Sequence, residues 1–269
     1  MVTNDEITES IVDDIASLPN ETADPQKIVN QIIPADVLER FEVYSYRGAA
    51  TLLKELHNEE FDEIMDALRN FSIDTLTIRT AGGNESAIPK IFSKTLRPLN
   101  WFETSISGDL LVKLTWKSNT EKNGKIISVT NDKEIIRSKY IDGHKIDYVK
   151  NKVAFDLEWN SKDQTFDRDL YAFQAFFESG AISVGVLVTR SGDLNRVFKT
   201  VGPALDKDGK EIINKDGKTS PTMSKYGAST TWMGKLLYRL NAGRNGGCPV
   251  LAFGIKAACV VDWKTIEGN

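Results

Sequence analysis

Residues 146–160 read IDYVKNKVAFDLEWN, and the second half of this stretch alternates in polarity. Val153, Phe155, Leu157 and Trp159 fall on one face of a strand, and Ala154, Asp156, Glu158 and Asn160 on the other, because successive side chains of an extended chain point to opposite faces. The apolar row is a core face, so the opposite row carries two carboxylates. Residues two apart on a strand are roughly 6–7 Å apart, close enough for both to reach one cation. A third acid, Asp147, precedes Lys150-Asn151-Lys152, a polar stretch that reads as the turn between two strands. Folding back across it brings Asp147 beside Asp156 and Glu158. Three converging carboxylates repel one another unless a cation offsets them. A lone D-x-E is most often a solvated strand edge, but here the partner row is strongly apolar and a helical pattern follows. That combination argues for a central strand and a hard-metal site.

Asp147, eight intervening residues and Asp156-x-Glu158 resemble the PD-(D/E)xK nuclease signature. More narrowly, residues 146–160 resemble, without a gap, the active-site hairpin of the BamHI/BglII-like type II restriction endonucleases. The resemblance implies an α/β fold, with a central mixed β-sheet flanked by helices, and Mg²⁺-dependent, sequence-specific hydrolysis of double-stranded DNA by a homodimer. It also implies roles. Asp147 and Asp156 would be shared metal ligands together with the carbonyl of Leu157, and Glu158 a further ligand or the group that orients or deprotonates the attacking water. This chain has Asp156 where Glu is usual and Glu158 where most of the superfamily has Lys, although BamHI-like members have Glu there. A mechanism that needs a lysine to activate water is therefore in question. Lys150, Lys152 and Lys162 are the lysines near enough in sequence to substitute. A repair or phage-defence nuclease of the same superfamily, or a catalytically inactive DNA-binding module of the same fold, are the rival readings.

Around this hairpin, 269 residues with 41% hydrophobic composition suffice for one large globular domain. No run approaches the roughly 18 apolar residues of a membrane span, and the acidic start MVTNDEITES is not a secretory signal. Cys248 and Cys259 offer neither a disulfide framework nor a zinc spacing; they read as small buried side chains in a cytoplasmic protein. The net charge of −4 is unevenly spread: residues 1–40 hold nine acids and two bases, a net of −7, which leaves +3 on residues 41–269. The expectation is an acidic helical extension over 1–40 before a mildly basic catalytic and DNA-binding domain over 41–269.

In chain order, residues 1 to about 25 read as a weak helix and a Pro-containing connector. Val37, Leu38, Phe41, Val43 and Tyr44 open a helical region, and apolar residues from Leu52 to Leu68 keep helical spacing through Asn70. His57 within that stretch reads as a surface imidazole. A turn around Gly82-Gly83-Asn84 leads into a helix striped by Ile88, Ile91, Phe92, Leu96 and Leu99. The resembled group has a similar G-x-N, helix and Trp segment before the hairpin, and a polar residue after its Trp reaches the metal site. Glu103, after Trp101, is the equivalent candidate. Leu110–Trp116 and Ile126–Thr130 read as two strands, and the charged stretch 131–139 as a separator.

Beyond the hairpin, Leu170, Phe173, Phe176 and Phe177 stripe a helix closed by Gly180, and AISVGVLVTR reads as a buried strand parallel to the carboxylate strand. Residues 203–225 read as a long mobile loop. VLAFGI is a last buried strand. DNA contacts are expected where the chain leaves the carboxylate strand, at Asn160 and Ser161, at Arg190, and at Ser229, Thr230 and Thr231 before a helix.

Overall fold

The computed structural model describes residues 17–80, 87–227 and 229–263. The Gly82-Gly83 turn and most of the expected N-terminal weak helix lie outside the described residues. Those residues form two compact units, one from residues up to 104 and from 146 onward, the other from residues 105–145.

The larger unit is built on four strands: β1 (Phe41–Tyr46), β4 (Val153–Glu158), β5 (Val184–Arg190) and β6 (Val250–Ile255). Two long strands, β2 (Phe102–Lys122) and β3 (Lys125–Lys150), complete a sheet of order β1-β6-β5-β4-β3-β2. β4, β5 and β6 run parallel, while β1 and β3 pair antiparallel with β6 and β4. The sheet is therefore mixed, and helices flank it. All of β4, β5 and β6 is buried, as the near-continuous apolar runs of a parallel sheet covered on both faces require.

On the Phe155 face, aromatic rings interlock in sequence. Phe41 meets Phe71 at 6.2 Å, Phe71 stacks on Phe92 at 5.0 Å, and Phe92 meets Phe155 at 5.1 Å. Phe71 follows α4 (Asn58–Asn70), the short α5 (Thr75–Arg79) comes next, and Phe92 lies on α6 (Ala87–Leu96), so α4 and α6 close this face. Their apolar stripes thus serve the core. Phe61, Ile64, Met65, Leu68, Ile88, Phe92 and Leu96 are all buried.

The opposite face is covered by α7 (Thr165–Glu178), the crossover between β4 and β5. Gly185 permits its close approach: a Cβ there would sit 2.4 Å from a ring carbon of Phe173. Gly180 takes φ 75° just past the end of α7, as expected for a residue terminating a helix.

Four sequence expectations change. Phe41–Tyr46 is a strand rather than part of a helical region, its alternating Phe41, Val43 and Ser45 buried inward; period two outweighed the preceding helix, α2 (Ala35–Arg40). The helical stretch 49–70 breaks at His57 into α3 (Ala49–Leu56) and α4, leaving Leu56 exposed. Residues 131–139 are strand, not separator. β2 and β3 turn at Asn123 and Gly124, both at positive φ, the backbone of a tight hairpin turn. Within residues 105–145, Lys113 pairs with Glu134 across the strands at 2.8 Å. Residues 203–225 are hydrogen-bonded turns rather than open loop: Asp206 and Asn214 each accept two backbone N–H groups, and Ile212 N–H donates to Ala204 at 2.9 Å.

The boundary drawn at residue 40 does not coincide with a division into compact units. Helices α1 (Gln26–Ile32) and α2 bury Val29 and Val37, with Ile33 between them, in the main core. On α2, Asp36 and Glu39 are exposed while Val37 is buried.

Candidate active site

β4 ends the way its sequence alternates: Val153, Phe155, Leu157 and Trp159 enter the core, and Asp156 and Glu158 face α7. The turn at Asn151 has φ 49° and sets the pairs Lys150↔Val153, Val149↔Ala154 and Tyr148↔Phe155. One further step along this register places Asp147 opposite Asp156, at the point where the ladder stops. Asp147 is exposed, whereas Asp156 and Glu158 are 5% and 7% exposed.

A fourth carboxylate, Asp169 on α7, joins them from outside the hairpin that the sequence marks. It is 2% exposed. Its placement follows from repeats: one helical turn is about 5.4 Å, and two residues of strand about 6.6 Å. Phe173 packs over Gly185, beside Ala154 in register. The helix returns antiparallel to β4, so one turn back from Phe173 reaches Asp169 over Asp156. The signal was present in the sequence, since Phe166, Asp169, Leu170 and Phe173 occupy i, i+3, i+4 and i+7 of one buried stripe.

Burial, and then the charges of Asp169, Asp147 and Glu158, push the Asp156 carboxyl well above its usual range; the Leu157 N–H, donating to Asp156 Oδ1 at 2.9 Å, opposes this. Burial and the neighbouring Glu158 carboxyl push Asp169 up to about 8 against the Arg168 guanidinium. That guanidinium bridges the acids, with Nη2 2.8 Å from Asp169 Oδ1 and 3.2 Å from Glu158 Oε1. Two hydroxyls hold the Glu158 backbone: Thr189 Oγ1 donates to its carbonyl at 2.8 Å and Thr231 Oγ1 at 3.3 Å. Leu157, whose carbonyl was the expected ligand, lies between the two acids and pairs with Val188.

The other expected residues separate into groups. Glu103 is exposed near the start of β2, next to β3 in the sheet order. The preceding Trp101 is fully buried, and its indole N–H donates to Glu63 at 2.7 Å. Lys150 pairs with Glu59 at 2.7 Å and Glu63 at 2.6 Å, which ties the hairpin turn to α4 and occupies this lysine away from the acids.

The two hydroxyl and amide clusters come together, because Lys162 bridges Thr230. Thr231 N–H donates to Ser161 at 2.9 Å and Asp163 N–H to Ser229 at 2.9 Å. Ser229 is exposed, while Asn160, Ser161 and Thr230 are half-buried. Asn160 Nδ2 donates to the Lys225 carbonyl at 3.1 Å, leaving its Oδ1 buried without a donor. Thr231 is fully buried beneath them.

Arg190 is 1% exposed. It donates from Nε to the Trp159 carbonyl at 2.9 Å and from Nη2 to Thr230 Oγ1 at 2.7 Å. Its guanidinium lies 5.0 Å from the Tyr226 ring and 5.6 Å from that of Phe198. Burial lowers its pKa to about 10, so it remains charged at neutral pH. Placed under the clusters, Arg190 supports them from inside instead of presenting donors to solvent, because its guanidinium is buried and two of its nitrogens are engaged.

Among the described residues no three His, Cys, Asp or Glu side chains form a group ready to hold a metal ion, and the cation between Glu158 and Asp169 is a guanidinium. The donor set is nonetheless all oxygen, as hard divalent cations require, and one oxygen of it, Asp169 Oδ2, is buried with no hydrogen-bond partner. Both cysteines are buried and unpaired. No helix among the described residues is long and apolar enough to cross a membrane.

Comparison with curated proteins gives no match. The family model for restriction endonuclease BglII/BglIII matches residues 41–255, which takes in β1, the carboxylate hairpin, α7 and β6. The chain therefore belongs to the BglII/BglIII restriction endonuclease family, and with it to the nucleases that hydrolyse DNA.

Proposed function

We propose that the protein is a type II site-specific deoxyribonuclease that cleaves double-stranded DNA with Mg²⁺ and works as a homodimer. The observation that carries this reading is the cluster of Asp156, Glu158 and Asp169, converging at the end of β4 with Asp147 one register step beyond the β3–β4 ladder. Carboxylates gathered out of water repel one another, and a bound divalent cation would offset that repulsion.

Asp147, Asp156 and the Leu157 carbonyl would hold Mg²⁺, with Glu158 and Glu103 adjoining. When bound, the cation supplies Lewis acidity toward the scissile phosphate and lowers the pKa of a water. The chain's own contribution is placement. Thr189 and Thr231 fix the backbone from which Glu158 projects, so this carboxylate is positioned to orient or deprotonate the attacking water in place of a lysine. The cover of α7 keeps bulk water from Asp156, Glu158 and Asp169 and strengthens their electrostatics.

A plasmid digest in Mg²⁺ tests the reading. Discrete bands, absent with EDTA, are the expected result; a smear would favour a nuclease without palindromic specificity, and intact plasmid an inactive DNA-binding module. A homodimer matches the two-fold symmetry of a palindrome, and sedimentation at micromolar concentration, with and without DNA, would show a species of twice the chain mass. Because the stripes of α4 and α6 are spent in the core, the interface lies elsewhere.

Base reading is assigned to Ser161 and Ser229, with Asn160, Thr230, Thr231 and Arg190 holding them in place. Ser161→Ala or Ser229→Ala should weaken binding to the cognate duplex by about 1–3 kcal/mol, the worth of a good base contact. Binding to random duplex rests on phosphate contacts and should change far less. Equal losses on both duplexes would make these residues backbone contacts.

A further inference from the structure

The cation found among the site's acids belongs to the chain itself. Arg168 reaches back from the exposed side of α7, its side chain 65% exposed, to Asp169 and Glu158, whose side chains are 2% and 9% exposed. Its Nε also donates to Asp169 Oδ1, at 2.9 Å, so one planar fork engages Asp169 by two nitrogens and Glu158 by one. Asp169 Oδ2, by contrast, is buried with no hydrogen-bond partner. That oxygen belongs to the residue that completes the cluster. The guanidinium offsets part of the repulsion among Asp156, Glu158 and Asp169, the task a divalent cation would otherwise perform. Nothing else anchors Arg168 among the polar contacts of the described residues, and its long, exposed stem can swing away without disturbing the core.

We propose that Arg168 is a displaceable internal counter-cation. It bridges Glu158 and Asp169 in the metal-free protein and is expelled when a divalent cation binds, which frees Asp169 to join the site as an additional carboxylate. This rests on the cation-site reading given above. Metal affinity is then a competition, reduced by whatever the guanidinium bridge contributes, and the released arginine becomes available to a phosphate beside the same acids.

Calorimetric titration with Ca²⁺ tests this without catalysis, using the full chain as wild type, Arg168→Gln, Arg168→Lys and Asp156→Ala. Arg168→Gln should bind Ca²⁺ about tenfold more tightly than wild type, the scale of one lost charge-assisted contact. Arg168→Lys keeps the charge but not the fork and should fall between them, which separates competition from any folding defect. The Ca²⁺-induced rise in melting temperature should likewise be largest for Arg168→Gln. Wild type and Arg168→Gln binding with equal affinity, or the variant binding more weakly, overturns the role of Arg168 and leaves the carboxylate site standing. Absence of Ca²⁺ binding in both, or undiminished binding in Asp156→Ala, overturns the site itself.

Discussion

Asp156→Ala and Glu158→Ala should each abolish cleavage while the protein remains folded and still binds DNA in Ca²⁺. Loss of a carboxylate that holds the cation removes several kcal/mol of transition-state stabilisation, about 10³-fold or more in rate. Stability should move the other way. Asp156 is buried among three further acids, and its pKa is raised. Between about pH 4, the unfolded value, and that raised folded value, the folded state binds more protons than the unfolded one. Its stability therefore falls as pH rises through this window. The alanine variant lacks that slope, so in EDTA at pH 8 it should melt no lower than wild type, the small cavity being offset by relief of repulsion. Cleavage in Mg²⁺ at the wild-type rate by either variant would remove its residue from the chemistry and overturn the metal-site reading. A collapse of Asp156→Ala in EDTA would mean that the acid is structural.

Arg190→Ala should unfold the protein more readily, by about 2–4 kcal/mol, from the cavity left and the carbonyl orphaned. Arg190 fills the space between Trp159, Tyr226 and Phe198 and satisfies the Trp159 carbonyl. The removal of a desolvated cation returns only part of that loss. Arg190→Lys should recover little, since one ammonium cannot span Trp159 and Thr230 while stacking on two rings. Urea unfolding reads the stability, and binding to cognate and random duplexes at a temperature where the variant is folded reads the contact. Unchanged stability with selective loss of cognate binding would instead place Arg190 at a guanine edge.

What the sequence determined by itself was the carboxylate hairpin and its surroundings. Alternation over 153–160 placed Asp156 and Glu158 opposite a core row, Lys150-Asn151-Lys152 marked the turn, and the helix and apolar run that follow required a crossover to a parallel strand. These features are legible because they are local: polarity repeats over two or 3.6 residues, and turn chemistry acts within a few residues. Local periodicity failed where two periods overlapped, as at Phe41–Tyr46 and His57, and where charge masked a strand, as at residues 131–139.

Only the tertiary structure decided which polar groups face one another. Asp169 lies 13 residues beyond Asp156, and its role depends on how closely Phe173 lets α7 approach Gly185. Arg190 and Thr231 looked like surface donors at strand and helix ends, yet both are buried. Ser161 and Ser229 meet through a bridge across nearly seventy residues of chain. Electrostatic and hydrogen-bond partners are chosen by distance and burial, which the packing of α7 and β5 on β4 sets and no window of sequence contains.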